Sequence, residues 1–222
     1  MADQLYLSLW FPNFRLAALP EALAAVMRQF AIVSGDRRVA AASAYPFGFT
    51  ESPVYQRIYV NDERAEETPG AQIEAAVAEA TEQLHDDMAY EFEMKWPLWA
   101  PVLDDTPEGL DSTGGLDTVW KQQPTTVRIL GFGPQFDDAS FDQNGHIRVD
   151  FGLDTPWTFE DTLPGDAQLD PTAARYIQKN TEMLLAFTLS VEKHCGISSR
   201  LLWTESGEPL AQKLVERLQR VN

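Results

Sequence analysis

Cysteine is all but missing from these 222 residues: Cys195 stands alone. No internal disulfide can form, and a reducing cytoplasm is the expected home. Histidine is scarce as well, with His85, His146 and His194 the whole complement. None of them falls in a His-x-x-x-His or Glu-x-x-His setting, so zinc and di-iron chemistry lack their ligands. Apolar runs are short; nothing reaches the roughly 18 consecutive residues of a membrane span. The opening Met1-Ala2-Asp3-Gln4 has no basic region, and Leu5–Phe11 is too short and interrupted for a signal peptide. Positive charge is the last scarcity. Seventeen Lys and Arg face 34 Asp and Glu, for a formal net charge of −17. The excess is spread, at −8 over residues 1–99, −4 over 100–124 and −5 over 125–222. Such a field repels phosphate backbones and anionic lipid, so neither nucleic acid nor a membrane is an expected partner. It suits a soluble protein, a salt-adapted one, or one that meets a basic partner.

Catalytic and cofactor motifs are missing too. There is no Gly-x-Ser-x-Gly elbow and no Walker sequence, and Gly131-Phe132-Gly133 runs into Pro134, which cannot open a dinucleotide-binding helix. No cofactor is expected. The segment from Asp137 to Gly145 looks like a calcium loop until its ends are checked. With Gly145 in the glycine position, the first and last ligands would be Ser140 and Phe151, which fails. Paired acids (Asp86-Asp87, Asp104-Asp105, Asp137-Asp138) lie in loop composition and read as solvated charge. Cys195 follows His194, whose imidazolium would lower a thiol pKa. Against this, the C-terminal end of a helix disfavours a thiolate, and consecutive helical residues do not face each other. His194 reads as a cation complementing that helix end.

What is present is a pattern of elements. Leu5, Leu7, Leu9 and Phe11 alternate with Tyr6, Ser8 and Trp10, the period of a strand. Leu19, Leu23, Val26, Met27 and Phe30 follow at helical spacing behind Pro20. Gly35-Asp36 marks a turn before a strand over Val39–Tyr45, and Pro46–Pro53 is a loop with Phe47-Gly48-Phe49 at its tip. The next strand sets Val54, Gln56, Ile58 and Val60 against Tyr55, Arg57 and Tyr59. Thr68-Pro69 starts a helix with Ile73, Val77, Ala80 and Leu84 inward. Tyr90, Phe92, Met94, Trp96 and Leu98 then alternate with Glu91, Glu93 and Lys95. This is the βαββαβ order of a ferredoxin-like half over residues 1–99, in an α+β protein.

Residues 100–124 break every period and read as a linker or long surface loop. Beyond them, 125–222 read as a second α+β half, ββαβα. Val127–Phe132 is a strand, and Asn144-Gly145 has the composition of a two-residue hairpin turn leading to Ile147, Val149 and Phe151. A long helix runs from Asp170-Pro171 to Gly196. Arg200–Thr204 is a strand, and Leu210, Leu214, Leu218 and Val221 form the stripe of a last helix.

Helices on one side of the first half would leave Tyr6, Trp10, Tyr55, Arg57 and Tyr59 on the other, for the second half to cover. An RNA-recognition surface is a poor fit, because Val54–Tyr59 lacks the glycine of that signature. The expected function is a non-enzymatic binding or protein-interaction module for an unidentified protein or small molecule. The first alternative is a small-molecule binder or enzyme in a crevice between the halves. Its walls would be Trp10, Tyr55, Arg57, Tyr59 and Trp99, with Arg57 as anchor for an anionic group. The second alternative is an acidic inhibitor of a basic protein. An open sheet edge, or the aromatic face itself, also offers a route to a homodimer.

Overall fold

The computed structural model describes residues 2–59, 71–103, 118–137, 140–158 and 171–207. Seven strands form one sheet: β1 (Gln4–Trp10), β2 (Val39–Pro46), β3 (Tyr55–Ile58), β4 (Met88–Leu103), β5 (Thr118–Phe132), β6 (Ile147–Leu153) and β7 (Ser199–Thr204). Their spatial order is β3-β2-β4-β5-β6-β1-β7, with every neighbouring pair antiparallel. The helices described are α1 (Leu19–Ser34), α2 (Ala71–Ala80), α3 (Ser140–Gln143), α4 (Thr155–Thr158) and α5 (Pro171–His194). The class is α+β.

The apolar stripe of α1 forms as its spacing dictates, with Leu19, Leu23, Val26, Met27 and Phe30 fully buried. Pro20 starts the helix, and Gly35, at φ 75°, ends it by returning its N–H to the Ala31 carbonyl. With its leading turn, Leu16–Ser34 is long and apolar enough to cross a membrane by composition, at mean hydropathy 1.5. Here it is the central core helix. It packs with α2 and α5 on one side of the sheet. Beneath lie the inward rows Leu5-Leu7-Leu9, Tyr90-Phe92-Met94-Trp96-Leu98, Val127-Ile129 and Ile147-Val149-Phe151. Trp96, Phe30, Phe151, Trp157 and Phe187 meet at ring separations of 5.3–6.2 Å, most of them edge to face.

Several expectations need correction. A ferredoxin-like half would set β1 beside β3 and β4. Instead β1 lies between β6 and β7, both from the second half. The physical reason is that β4 has no vacant side: β2 takes one edge and β5 the other, from Ala89↔Phe132 to Leu103↔Thr118. The second half thus extends the same sheet rather than covering its face. Of the expected linker, residues 100–103 and 118–124 are strand. Asn144-Gly145 does not close a two-residue hairpin. Residues 133–146 separate β5 from β6, α3 lies within them, and of Asn144 and Gly145 only Gly145 takes a positive φ, at 89°. The expected helix start Thr68-Pro69, the cap Asp170 and the last helix over 210–221 lie outside the described residues.

Candidate binding face

With α1, α2 and α5 on one side, the other face of the sheet is free of them, and strand register fixes which residues it carries. One row across it reads Ser43, Glu91, Leu130, Arg148, Ser8, Leu201. The next row reads Glu93, Arg128, Asp150, Tyr6, Trp203. Alternation puts these side chains opposite the Leu, Phe and Trp rows of the core. Two connections wall one end. Asp137 donates its N–H to the Phe47 carbonyl at 2.8 Å, and Phe47 donates to Asp87 at 2.7 Å, which ties the 47–49 tip to the segment after β5. Phe49 packs edge-on against Phe136 at 5.0 Å and Phe132 at 6.1 Å, over a small second core of Ala89, Leu130, Phe132 and Phe136.

Arg148 sits where these parts meet. Its guanidinium lies 5.2 Å from the centre of the Tyr6 ring, 5.3 Å from Phe132 and 5.6 Å from Phe49. Nε is shut off from solvent and finds no acceptor, and the side chain makes no hydrogen bond or ion pair with any described residue. Burial works against its charge, opposed by Tyr6, Asp150, Glu91 and Asp137. A guanidinium cannot shed its proton at any ordinary pH, so it stays charged.

Its neighbours differ in how well they are paired. Arg128 donates to Glu93 at 3.3 Å and lies 4.0 Å from Asp150, whose Oδ1 accepts the Gly152 N–H at 2.8 Å. Glu91 has no hydrogen bond or ion pair among the described residues. Burial pushes its carboxyl above the usual range, and Arg128 only partly offsets this. Burial likewise raises Tyr6, with Asp150 adding to the effect. Trp203 lies 4.6 Å from the Tyr6 ring and donates Nε1–H to Ser8 at 3.0 Å.

The five residues expected to line one crevice are not brought together. Tyr55 and Arg57 stand opposite Ala44 and Ala42, whose side chains are buried on the helix side, so β3 turns them toward α2. There Arg57 holds both carboxylate oxygens of Glu79 at 2.5 Å. Tyr55 and Tyr59 pack on the core margin with their hydroxyls buried, and Tyr55 acts electrostatically with Tyr59 and Glu79. Trp10 is on the opposite face near the far edge, donating Nε1–H to the Asp142 carbonyl at 3.3 Å. Trp99 lies where β4 runs past β2, against Tyr176 at 4.5 Å and beneath the Lys179 ammonium at 4.7 Å.

What the sequence reading missed is Arg148 with Glu91. The alternation that puts each on its face is legible; the pairing of β4, β5, β6 and β1 that assembles them is not. A cleft of about 480 Å³ lies elsewhere, between the end of α1 and Lys95, Pro97, Gln122 and Pro124. Its cations are engaged: Arg38 pairs with Asp36 at 2.8 Å and Lys95 donates to Thr126 at 2.5 Å. Among the described residues no group of three or more His, Cys, Asp or Glu converges as a metal site. Cys195 is half-buried, and burial pushes its thiol up to about 11, away from a thiolate. Set against known proteins, the chain matches no family model, no curated protein and no solved structure.

Proposed function

We propose that this chain is a non-enzymatic, cytoplasmic binding module that takes a small-molecule ligand on the sheet face away from α1, α2 and α5, with Arg148 as anchor for an anionic group. One observation carries this reading: the Arg148 guanidinium is ringed by three aromatic side chains, and its solvent-shielded Nε has no hydrogen-bond acceptor among the described residues. A desolvated donor left unmade costs about 1–3 kcal/mol, and more for a charged group, so a site that keeps one is favoured when a ligand supplies the acceptors. Carboxylate and phosphate match the planar fork of arginine. Cytoplasmic placement rests on the lone cysteine.

The test is a protein-observed NMR screen of small carboxylates and phosphates on the wild type, Arg148→Met and Arg57→Ala. Binders are expected to shift resonances of Tyr6, Arg148 and Trp203, to bind Arg57→Ala normally, and to lose Arg148→Met. Binders that ignore the Arg148 substitution, or that map to Arg57 and Tyr55, would overturn the reading.

A second reading concerns self-association. Val54, just before the edge strand β3, and Ile58, its last residue, are 65% and 72% exposed, and β3 has no partner on its outer side among the described residues. A second copy pairing along β3 would cover both. Light scattering should then give a dimer mass that Ile58→Lys reduces to monomer.

A further inference from the structure

Resting on the reading that Arg148 anchors a ligand, we propose that the ligand is amphoteric: an α-amino acid with an apolar or aromatic side chain, its carboxylate on Arg148 and its ammonium on Glu91. The first argument is charge. Glu91, Asp150 and Asp137 all act electrostatically on Arg148, and Glu93 stands in the adjoining row, so carboxylates outnumber the two arginines of this face. A plain anion entering here meets net repulsion, whereas a ligand that brings a positive group with its negative one does not. The second argument is pairing. Arg128 already has Glu93 and Asp150, but Glu91 and Arg148 each lack any hydrogen bond or ion pair among the described residues.

The third argument is placement. Glu91 and Arg148 occupy one row with Leu130 between them, two strand spacings or roughly 10 Å apart along the backbone. Their long side chains influence each other electrostatically without forming a pair. An α-amino acid carries its ammonium and carboxylate on adjacent carbons, which suits a carboxylate and a guanidinium that approach over an apolar floor without meeting. Tyr6 and Trp203, both half-buried, flank Arg148 on the side away from Leu130 and offer ring faces to an apolar side chain.

The experiment is isothermal calorimetry, backed by NMR mapping, with three probes of one shape: L-phenylalanine, 3-phenylpropionate without the ammonium, and phenethylamine without the carboxylate. L-phenylalanine is expected to bind at least tenfold more tightly than either analogue. Glu91→Gln should bring it down to the level of phenylpropionate while leaving phenylpropionate itself unweakened; Arg148→Met should abolish both. Phenylpropionate binding the wild type as tightly as phenylalanine would overturn the amphoteric assignment and leave Arg148 as a simple anion anchor. That assignment falls equally if other anionic fragments bind this face and phenylalanine does not. If no carboxylate or phosphate shifts Tyr6, Arg148 or Trp203, the underlying reading falls with it.

Discussion

Asn180 shows how one buried side chain can hold two distant segments. It is fully buried on α5; its Oδ1 accepts the Trp99 N–H at 2.9 Å, and its Nδ2 donates to the carbonyls of Trp99 at 2.9 Å and Pro156 at 2.8 Å. The amide thus stands in for a neighbouring strand where β4 has run past β2. Asn180→Ala would leave three partly buried backbone groups without their partner and is expected to cost about 3 kcal/mol in urea unfolding. Asn180→Asp should not rescue it, because a carboxylate has no proton for either carbonyl.

His146 contributes a pH dependence of its own. Its Nδ1 accepts the Phe11 N–H at 3.0 Å, which requires the proton on Nε2, and its ring stacks on Phe14 at 4.3 Å and Phe141 at 4.4 Å. Burial lowers its pKa from the ordinary imidazole value, with Asp142 pulling weakly the other way. A depressed folded-state pKa means that the contribution is present above the unfolded value, about 6.5, and is lost as pH falls through the lower folded value. The stability difference between wild type and His146→Gln should therefore shrink between pH 7 and pH 5 in parallel thermal melts.

At the scale of elements, the connections between strands decide the assembly. A Cβ on Gly133 would stand 2.4 Å from the Asp86 carbonyl oxygen, and its N–H bonds the Met88 carbonyl at 2.8 Å. Gly133→Ala must push two backbones apart and is expected to cost about 2 kcal/mol or more. Gly35→Ala meets open space and only the strain of positive φ, so about 1 kcal/mol is expected in the same denaturant series.

Element identity was legible in the sequence where the period was strong. The alternation from Tyr90 to Leu98, the stripe from Leu19 to Phe30 and the long helix ending before Gly196 all reappear in the structure. The arrangement was not legible. Period-two alternation says that Tyr55 and Arg57 share a face but not which; that depends on their sitting opposite Ala44 and Ala42. The same holds for Trp10, Tyr6 and Arg148, whose neighbours are set by pairings across most of the chain. The loss of period also misled: residues 100–124 read as a linker, yet 100–103 and 118–124 lie within the β4–β5 ladder, which also takes in Pro97, Pro101 and Pro124. There prolines withhold donors from outer edges that would otherwise invite further strands.

For the whole molecule, the shared sheet means that the halves cannot be separated without loss. Residues 1–99 alone would leave β1 without β6 and β7, and β4 without β5. That fragment is expected to show no cooperative thermal transition, whereas the full chain shows one; a fragment that melts cooperatively would mean that the first half has its own closed core. The charge of −17 adds a milder effect, a self-repulsion that salt screens. Melting temperature should rise modestly from 10 mM to 150 mM sodium chloride.

The place of β1 also has a consequence in time. Trp10 accepts hydrogen bonds from Ser198, 188 residues later in the chain, and Tyr6 pairs with Trp203. During synthesis the first strand described leaves the ribosome long before either neighbour exists, and its Leu5-Leu7-Leu9 row has to be kept from other apolar surfaces until β6 and then β7 have been made. Loops this long close slowly. The first strand described gains its second neighbour only once the last one described has been translated.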